Sequence, residues 1–137
     1  MGYCFIPINE RQRSMTSMEF DTSKTGLRAV LKDWQEIALN VLWESNKGLG
    51  SKKVWDEVNA RLQGETISRA SIINFLDAMK EMGVLGGTDT TGKGGHRWIY
   101  SPAMSQAQFK LFVAETILGN LLRDFPEETQ KALRIIN

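Results

Sequence analysis

The sequence predicts a mostly α-helical fold with one small β-hairpin. From residue 27 onward, apolar residues recur at three- and four-residue spacing, which is the period of a helix that buries one face. This spacing is interrupted once, between residues 84 and 100, by two short apolar segments around a glycine-rich turn, and it then returns. The chain has 137 residues, of which 42% are hydrophobic and 24% charged, so it can bury one core.

The N-terminal part divides into an arm and a first helix. Residues 1–24 have no sustained period and are expected to form a flexible N-terminal arm. The apolar stripe of the first predicted helix begins at Leu27, and the helix should end near Glu44, before a polar turn at 45–48. The members of this stripe are Leu27, Val30, Leu31, Trp34, Ile37, Ala38, Val41 and Leu42.

Two shorter helices are predicted next. Ser51 is expected to cap the first of them, at 52–63, because its hydroxyl can accept hydrogen bonds from the free N–H groups of the next turn. Ser68 should cap the second, at 69–82, and Gly83 stands where a residue with positive φ often ends a helix. The buried stripes are Val54, Trp55, Val58 and Leu62 in the one helix, and Ile72, Phe75, Leu76 and Met79 in the other.

The hairpin and two further helices complete the chain. One strand begins at residues 84–85, the segment 92–95 forms a glycine-rich turn, and residues 97–100 form the returning strand. Ser105 and Gln108 have the spacing of a capping box, which starts a long helix that should end near Asp124. Pro126 suits the first turn of a last short helix.

The order of these elements predicts a winged helix-turn-helix domain at 25–102, followed by a C-terminal helical dimerisation segment at 103–137. In such a domain the third helix enters the major groove of DNA. An ordinary domain of three helices and a hairpin that binds no DNA would have the same order of elements, so this order does not decide the function.

The candidate DNA-contacting side chains lie on the third helix, at the start of the second and on the hairpin. Arginine can form a bidentate pair with guanine, and asparagine can form one with adenine. Phosphates are bound by cationic side chains and by helix N-termini. Ile73 and Asp77 also fall on the outward face of the third helix: Ile73 can touch a thymine methyl group or pack within the domain, and phosphates would repel Asp77 unless it lies beyond the groove. The predicted contact residues are Lys52, Lys53, Ser68, Arg69, Ser71, Asn74, Lys93 and Arg97.

The composition argues against several other classes of protein. Cys4 is the only cysteine and His96 the only histidine, so no metal site, cofactor or catalytic residues are expected and the chain is not predicted to be an enzyme. No stretch has the length and apolarity of a membrane span, and a cytoplasmic location is expected. The net charge is only +1, so any DNA-binding surface must be a local cluster of cations.

The long fourth helix has an apolar stripe that runs on further than a domain of this size requires. This stripe can pack back on the first helix, or it can form a homodimer interface that places two reading helices one DNA turn apart; we favour the second. The predicted interface residues are Phe109, Phe112, Val113, Ile117, Leu121 and Ile135.

Five segments between residues 31 and 125 resemble the penicillinase-repressor family, the winged-helix repressors of β-lactamase and methicillin-resistance genes. They are residues 37–43, 51–58, 67–72, 79–85 and 99–101. The resemblance implies a homodimer bound to double-stranded operator DNA, with dimerisation through the helices that follow the hairpin.

The sequence departs from the family pattern at three points. Where family members usually place a lysine and then an arginine on the exposed face early in the third helix, this chain has Ala70 and Ile73. Where the family has a cleavable Asn-Phe bond, this chain reads Asp124-Phe125. The cysteine cluster of the copper-sensing branch is absent.

Two functions therefore remain open from the sequence. The first is a dimeric transcriptional repressor that binds double-stranded DNA sequence-specifically. The second is a winged-helix protein–protein interaction module without DNA binding, which the near-neutral charge and Ile73 favour.

Overall fold

The computed structural model describes residues 19–92 and 95–137, so the predictions for residues 1–18 and for Lys93 lie outside the described residues. The described ranges contain a short 3-10 helix, Gly26–Ala29, five α-helices and three strands, so the fold is mostly helical with a small antiparallel sheet. In chain order they are α1 (Asp33–Glu44), β1 (Leu49–Gly50), α2 (Ser51–Arg61), α3 (Arg69–Glu81), β2 (Leu85–Gly92), β3 (Gly95–Pro102), α4 (Gln106–Asp124) and α5 (Pro126–Ile136).

The first apolar stripe belongs to two elements and not to one helix. Leu27 lies in the 3-10 helix, whereas α1 begins only at Asp33, after Lys32 in extended conformation. The backbone N–H of Lys32 donates to Oε1 of Gln35 at 2.9 Å, and this bond fixes the start of α1. Both elements contribute buried residues to the same core, which is why one stripe runs through them.

The described end of the predicted N-terminal arm is attached to the body. The backbone N–H of Asp21 donates to the carbonyl of Ala29 at 2.7 Å, and the Asp21 carboxylate accepts from the hydroxyl of Ser23 at 2.6 Å. Residues 19–24 therefore form an exposed turn that is hydrogen-bonded to the 3-10 helix.

The bounds of α2 and α3 agree with the sequence prediction to within two residues. The N-cap of α2 is Gly50 and not Ser51, which is the first helical residue and provides no capping bond. At α3 the prediction is confirmed: Oγ of Ser68 accepts from the backbone N–H of Ser71 at 3.1 Å. Gly83 follows α3 with φ of +82°, the left-handed conformation in which a residue with a Cβ is strained.

Replacing Ser68 by alanine should lower the free energy of unfolding by about 1 kcal/mol, because the N–H of Ser71 would lose its acceptor. Urea denaturation followed by circular dichroism measures this change. Ser51→Ala is the matched control, since Ser51 occupies the first position of α2 without capping it, and it should change stability by less than half as much. Equal losses in the two variants would contradict this assignment of the cap.

The sheet contains one strand more than the predicted hairpin. Its order is β1–β3–β2, with β3 antiparallel to both neighbours. In β1, Leu49 pairs with Tyr100 and Gly50 with Ile99, so the residues that lead directly into α2 are bound to the central strand. A two-residue strand is too short to show a period, which is why the sequence did not reveal it. The pairing fixes the start of α2 beside β3.

One core joins the helices to the sheet. Trp34 of α1 contacts Phe75 of α3 edge-on, with ring centroids 5.4 Å apart. The ring centroids of Trp43 and Phe109 of α4 are 5.9 Å apart. The indole N–H of Trp43 donates to the carbonyl of Met104 at 3.0 Å. The largest fully buried side chains are Phe109, Leu39, Leu42, Ile72, Leu76, Met79, Leu85, Val54, Val58 and Val84.

The structure corrects the prediction for the first half of α4. Phe109, Phe112 and Val113 are buried in the chain's own core, so they attach α4 to the body and offer almost no surface to a second copy. Ile117 is half-buried, whereas Leu121 and Ile135 are exposed. The core thus covers only some of the apolar residues of α4.

Candidate functional site

Four cationic side chains from three elements line one cleft of about 320 Å³. Lys52 and Lys53 come from the first turn of α2, Arg69 is the first residue of α3, and Arg97 lies on β3. The cleft is completed by Gly50, Ser51, Asp56 and Ile99. Half of the eight side chains that the sequence predicts to contact DNA are thus brought to one place.

The charge of this cationic cleft is strongly positive. Among the described residues that line it, the one acidic residue is Asp56, which pairs with Lys52 at 3.1 Å, and Lys53 pairs with Glu57 at 3.3 Å. Both are exposed i,i+4 pairs, which stabilise a helix by only a few tenths of a kcal/mol. Each lysine can therefore readily exchange its carboxylate partner for another anion. Among the described residues no carboxylate lies within 4.0 Å of Arg69 or Arg97. Arg69 instead donates a long hydrogen bond of 3.5 Å to Oγ of Ser51.

The beginnings of α2 and α3 add to this positive potential. Neither helix has an acidic residue in its first turn, and the N-cap of α2 is a glycine without a side-chain acceptor. The first N–H groups of α2 therefore have no intrahelical or side-chain acceptor, and they lie where Gly50 and Ser51 line the cleft. Such N–H groups, together with the helix dipole, favour a phosphate or carboxylate.

The turn between α2 and α3 is fixed by two side chains of α2. The indole N–H of Trp55 donates to the carbonyl of Ile67 at 2.8 Å. Asn59 accepts from the N–H of Ile67 at 2.9 Å and donates to its carbonyl at 3.3 Å. These bonds hold the residue just before the Ser68 cap, so they set where α3 and its Arg69 begin. Sequence reasoning placed Trp55 in the apolar stripe and did not identify Asn59.

A bidentate ion pair attaches the other end of α2 to α1. The two terminal guanidinium nitrogens of Arg61 donate to the two carboxylate oxygens of Glu44 at 2.8 and 3.2 Å. The hydrogen bonds from Arg61 hold the pKa of the Glu44 carboxyl below its ordinary value. Because the pair is exposed, it orients the helices and adds little stability.

Alternate residues of β3 connect the cleft and α3. Arg97 and Ile99 face the cleft, whereas Trp98 and Tyr100 contact α3. The Tyr100 hydroxyl donates to Oδ1 of Asp77 at 2.6 Å. Burial, and secondarily this bond to Asp77, raises the pKa of the Tyr100 hydroxyl, which therefore remains a donor at neutral pH.

This bond corrects the expectation for Asp77. The sequence placed Asp77 on the outward face of α3, but its carboxylate is directed to the sheet by Tyr100. Lys80, one turn along α3, lies over the ring of Trp98 with Nζ 3.3 Å from the centroid. A Cβ at Gly87 would lie 2.7 Å from Lys80 Cδ, so a side chain on β2 at this position would displace the lysine from its present place. The hairpin is thus held against α3 at two points.

The remaining predicted contact residues lie along α3. Asn74 is exposed on its outward face, and Ser68 is exposed but engaged as the cap. Ser71 is half-buried, with its hydroxyl 2.9 Å from that of Ser68. Asn74 is not among the residues that line the cationic cleft, so the site has two parts: the cleft and the outward face of α3.

Two other kinds of feature, a metal site and a membrane span, are absent from the part of the chain that the structure describes. It contains no group of three His, Cys, Asp or Glu side chains that could hold a metal ion. Within the same ranges, no helix has both the length and the apolar character needed to cross a bilayer. The chain matches no protein-family model and no curated protein sequence.

Proposed function

We propose that this chain is a winged helix-turn-helix protein that binds double-stranded DNA. In this proposal α2, the fixed turn and α3 form the helix-turn-helix, α3 enters the major groove, and β2 and β3 form the wing. The observation that carries the proposal is the cationic cleft, because it joins the starts of two helices and the wing strand at one surface.

The cleft favours DNA over a small anion as its ligand, because its cations come from three separate parts of the backbone. On a chain with a net charge of only +1, the fold has concentrated Lys52, Lys53, Arg69 and Arg97 beside two helix starts. Protein–DNA complexes place cations and helix N-termini on phosphates in this way, and these contacts orient the reading helix without selecting a sequence.

The apolar surface of α4 and α5 supports a homodimer. Outside the core these helices expose Leu111, Leu118, Leu121, Leu122, Phe125, Leu133, Ile135 and Ile136. Thr129 holds α5 against α4 by donating to the carbonyl of Leu121 at 3.0 Å. An exposed apolar surface of this extent is typical of an interface, and a second copy placed by a two-fold axis would present two reading helices to a palindromic operator. A dimeric repressor of transcription is the function this arrangement favours.

The same apolar surface also fits the second function, a protein–protein interaction module without DNA binding. That function does not explain why four cations line one cleft: Lys52, Lys53, Arg69 and Arg97. We therefore rank it below DNA binding. The two functions differ in whether any duplex binds at low salt.

Gel-shift titration of the full chain with duplex DNA of mixed sequence tests the proposal. We expect binding at about 50 mM salt, and a logarithmic affinity that falls linearly with the logarithm of salt concentration, because each neutralised phosphate releases counterions. Four cleft cations per protomer give a slope of about −3 to −4 per protomer bound. Absence of a shifted species at low salt would overturn DNA binding and leave the interaction module.

A further inference from the structure

The outward face of α3 has a composition that bears on which bases it can read. We propose that the protein selects operator half-sites rich in A·T pairs, with Asn74 on adenine and the methyl groups of Ala70 and Ile73 against thymine methyl groups. This inference rests on the proposed DNA binding, and it names the sequence class that the same surface reads.

The argument begins with the polar side chains of α3 that are already engaged elsewhere. Asp77 accepts from the Tyr100 hydroxyl, and Lys80 lies over the ring of Trp98, so both are directed to the wing. Ser71 is half-buried and hydrogen-bonded to the cap. None of these three side chains is presented to a groove.

Arg69 is the one arginine on α3, and its position is that of a phosphate ligand. It lines the cationic cleft with the cations of α2 and β3, and its guanidinium reaches back to Oγ of Ser51 at 3.5 Å. An arginine that reads guanine must extend from the groove-facing surface to O6 and N7. The placement of Arg69 beside the start of α2 therefore favours phosphate over guanine as the ligand of the one arginine on this helix.

Three side chains near the start of α3 are left as candidates for contact with bases: Ala70, Ile73 and Asn74. Ala70 and Asn74 are exposed one turn apart, and Ile73 is half-buried beside them. In the major groove, asparagine can bond N6 and N7 of adenine, whereas an alkyl side chain gains from contact with the thymine C5 methyl group. Cytosine lacks that methyl group, and although Oδ1 of Asn74 can accept from its amino group, only adenine offers the carboxamide a donor and an acceptor side by side. The surface thus favours A·T over G·C.

Selection from a duplex pool with a randomised central region tests the inference directly. The wild-type chain should enrich two A·T-rich half-sites related by a two-fold axis and about one DNA turn apart. Enrichment of G·C pairs at the centre of each half-site would overturn the inference while confirming DNA binding. Failure to recover any bound duplex would overturn both, so the two failures are distinguishable.

Chemical variants of the selected duplex then separate the two kinds of contact. Replacing individual thymines by uracil removes one methyl group each and should weaken binding about fourfold at each contacted position. Asn74→Ala should weaken binding to the selected site by roughly 5- to 150-fold and leave binding to unselected DNA unchanged. The exposed carboxamide of Gln130 on α5 provides the control, since Gln130→Ala should change neither affinity. Uracil substitution without effect at every position, or equal losses on both DNAs for Asn74→Ala, would overturn the inference.

Discussion

Replacing both Arg69 and Arg97 by alanine should weaken binding to duplex DNA of mixed sequence by roughly 10- to 100-fold, and the salt slope should fall by about 2 per protomer. Both side chains line the cationic cleft, and no carboxylate in the described ranges neutralises either of them. Because both are phosphate ligands in the proposed complex, their loss should act on all sequences alike. Gel-shift or fluorescence-anisotropy titration at several salt concentrations measures both quantities.

The matched control is Lys110→Ala with Lys131→Ala. This pair removes the same charge from exposed positions on α4 and α5 that do not line the cleft. It should lower affinity by less than threefold, because surface charges more than about 10 Å from a phosphate are screened at ordinary ionic strength. If both double variants lose affinity equally, binding depends on overall charge, and the cleft is not the DNA-binding surface.

Replacing Phe109 by alanine should lower the free energy of unfolding by about 3–5 kcal/mol, whereas Phe125→Ala should lower it by less than about 1 kcal/mol in the monomer. Phe109 is 0% exposed and packs against Trp43 and Phe112, so its loss leaves a cavity in the core. Phe125 is 56% exposed at the junction of α4 and α5, where water fills the space that alanine leaves. Phe125→Ala should instead weaken self-association, because Phe125 belongs to the exposed apolar surface.

Urea denaturation over a range of protein concentrations, combined with sedimentation equilibrium, separates these effects. Phe109→Ala should be destabilised at every concentration, whereas Phe125→Ala should differ from wild type only where the copies associate. A wild-type chain that sediments as a monomer at all concentrations would refute the dimer. Equal destabilisation by the two variants at low concentration would contradict the burial of Phe109 and the exposure of Phe125.

Local signals in the sequence were sufficient for most elements of the described fold. The cap at Ser68, the positive φ at Gly83 and the capping box at Ser105 each depend on residues within a few positions, and all three occur in the structure. Helical spacing also gave the order of helices and hairpin, because periodicity reports which face of each element is buried. The sequence likewise indicated four of the residues that line the cleft, by residue type and by position at element ends.

Contacts between distant parts of the chain could not be derived in this way. The strand β1 exists because β3 provides it with partners fifty residues later, and Asp77 turns to the sheet because the Tyr100 hydroxyl is there. Neither contact leaves a periodic or local trace in the sequence. The same holds for Asn59, whose polar side chain in a helix is ordinary until Ile67 is placed beside it.

By itself the sequence determined which residues of α4 are apolar and predicted an apolar stripe through them. The tertiary structure alone decided that Phe109, Phe112 and Val113 are buried in the core, while Leu111, Leu118 and Leu122 of the same helix remain exposed. The physical reason is that this helix has apolar residues on more than one of its faces, and only the packing of the rest of the protein decides which face is covered.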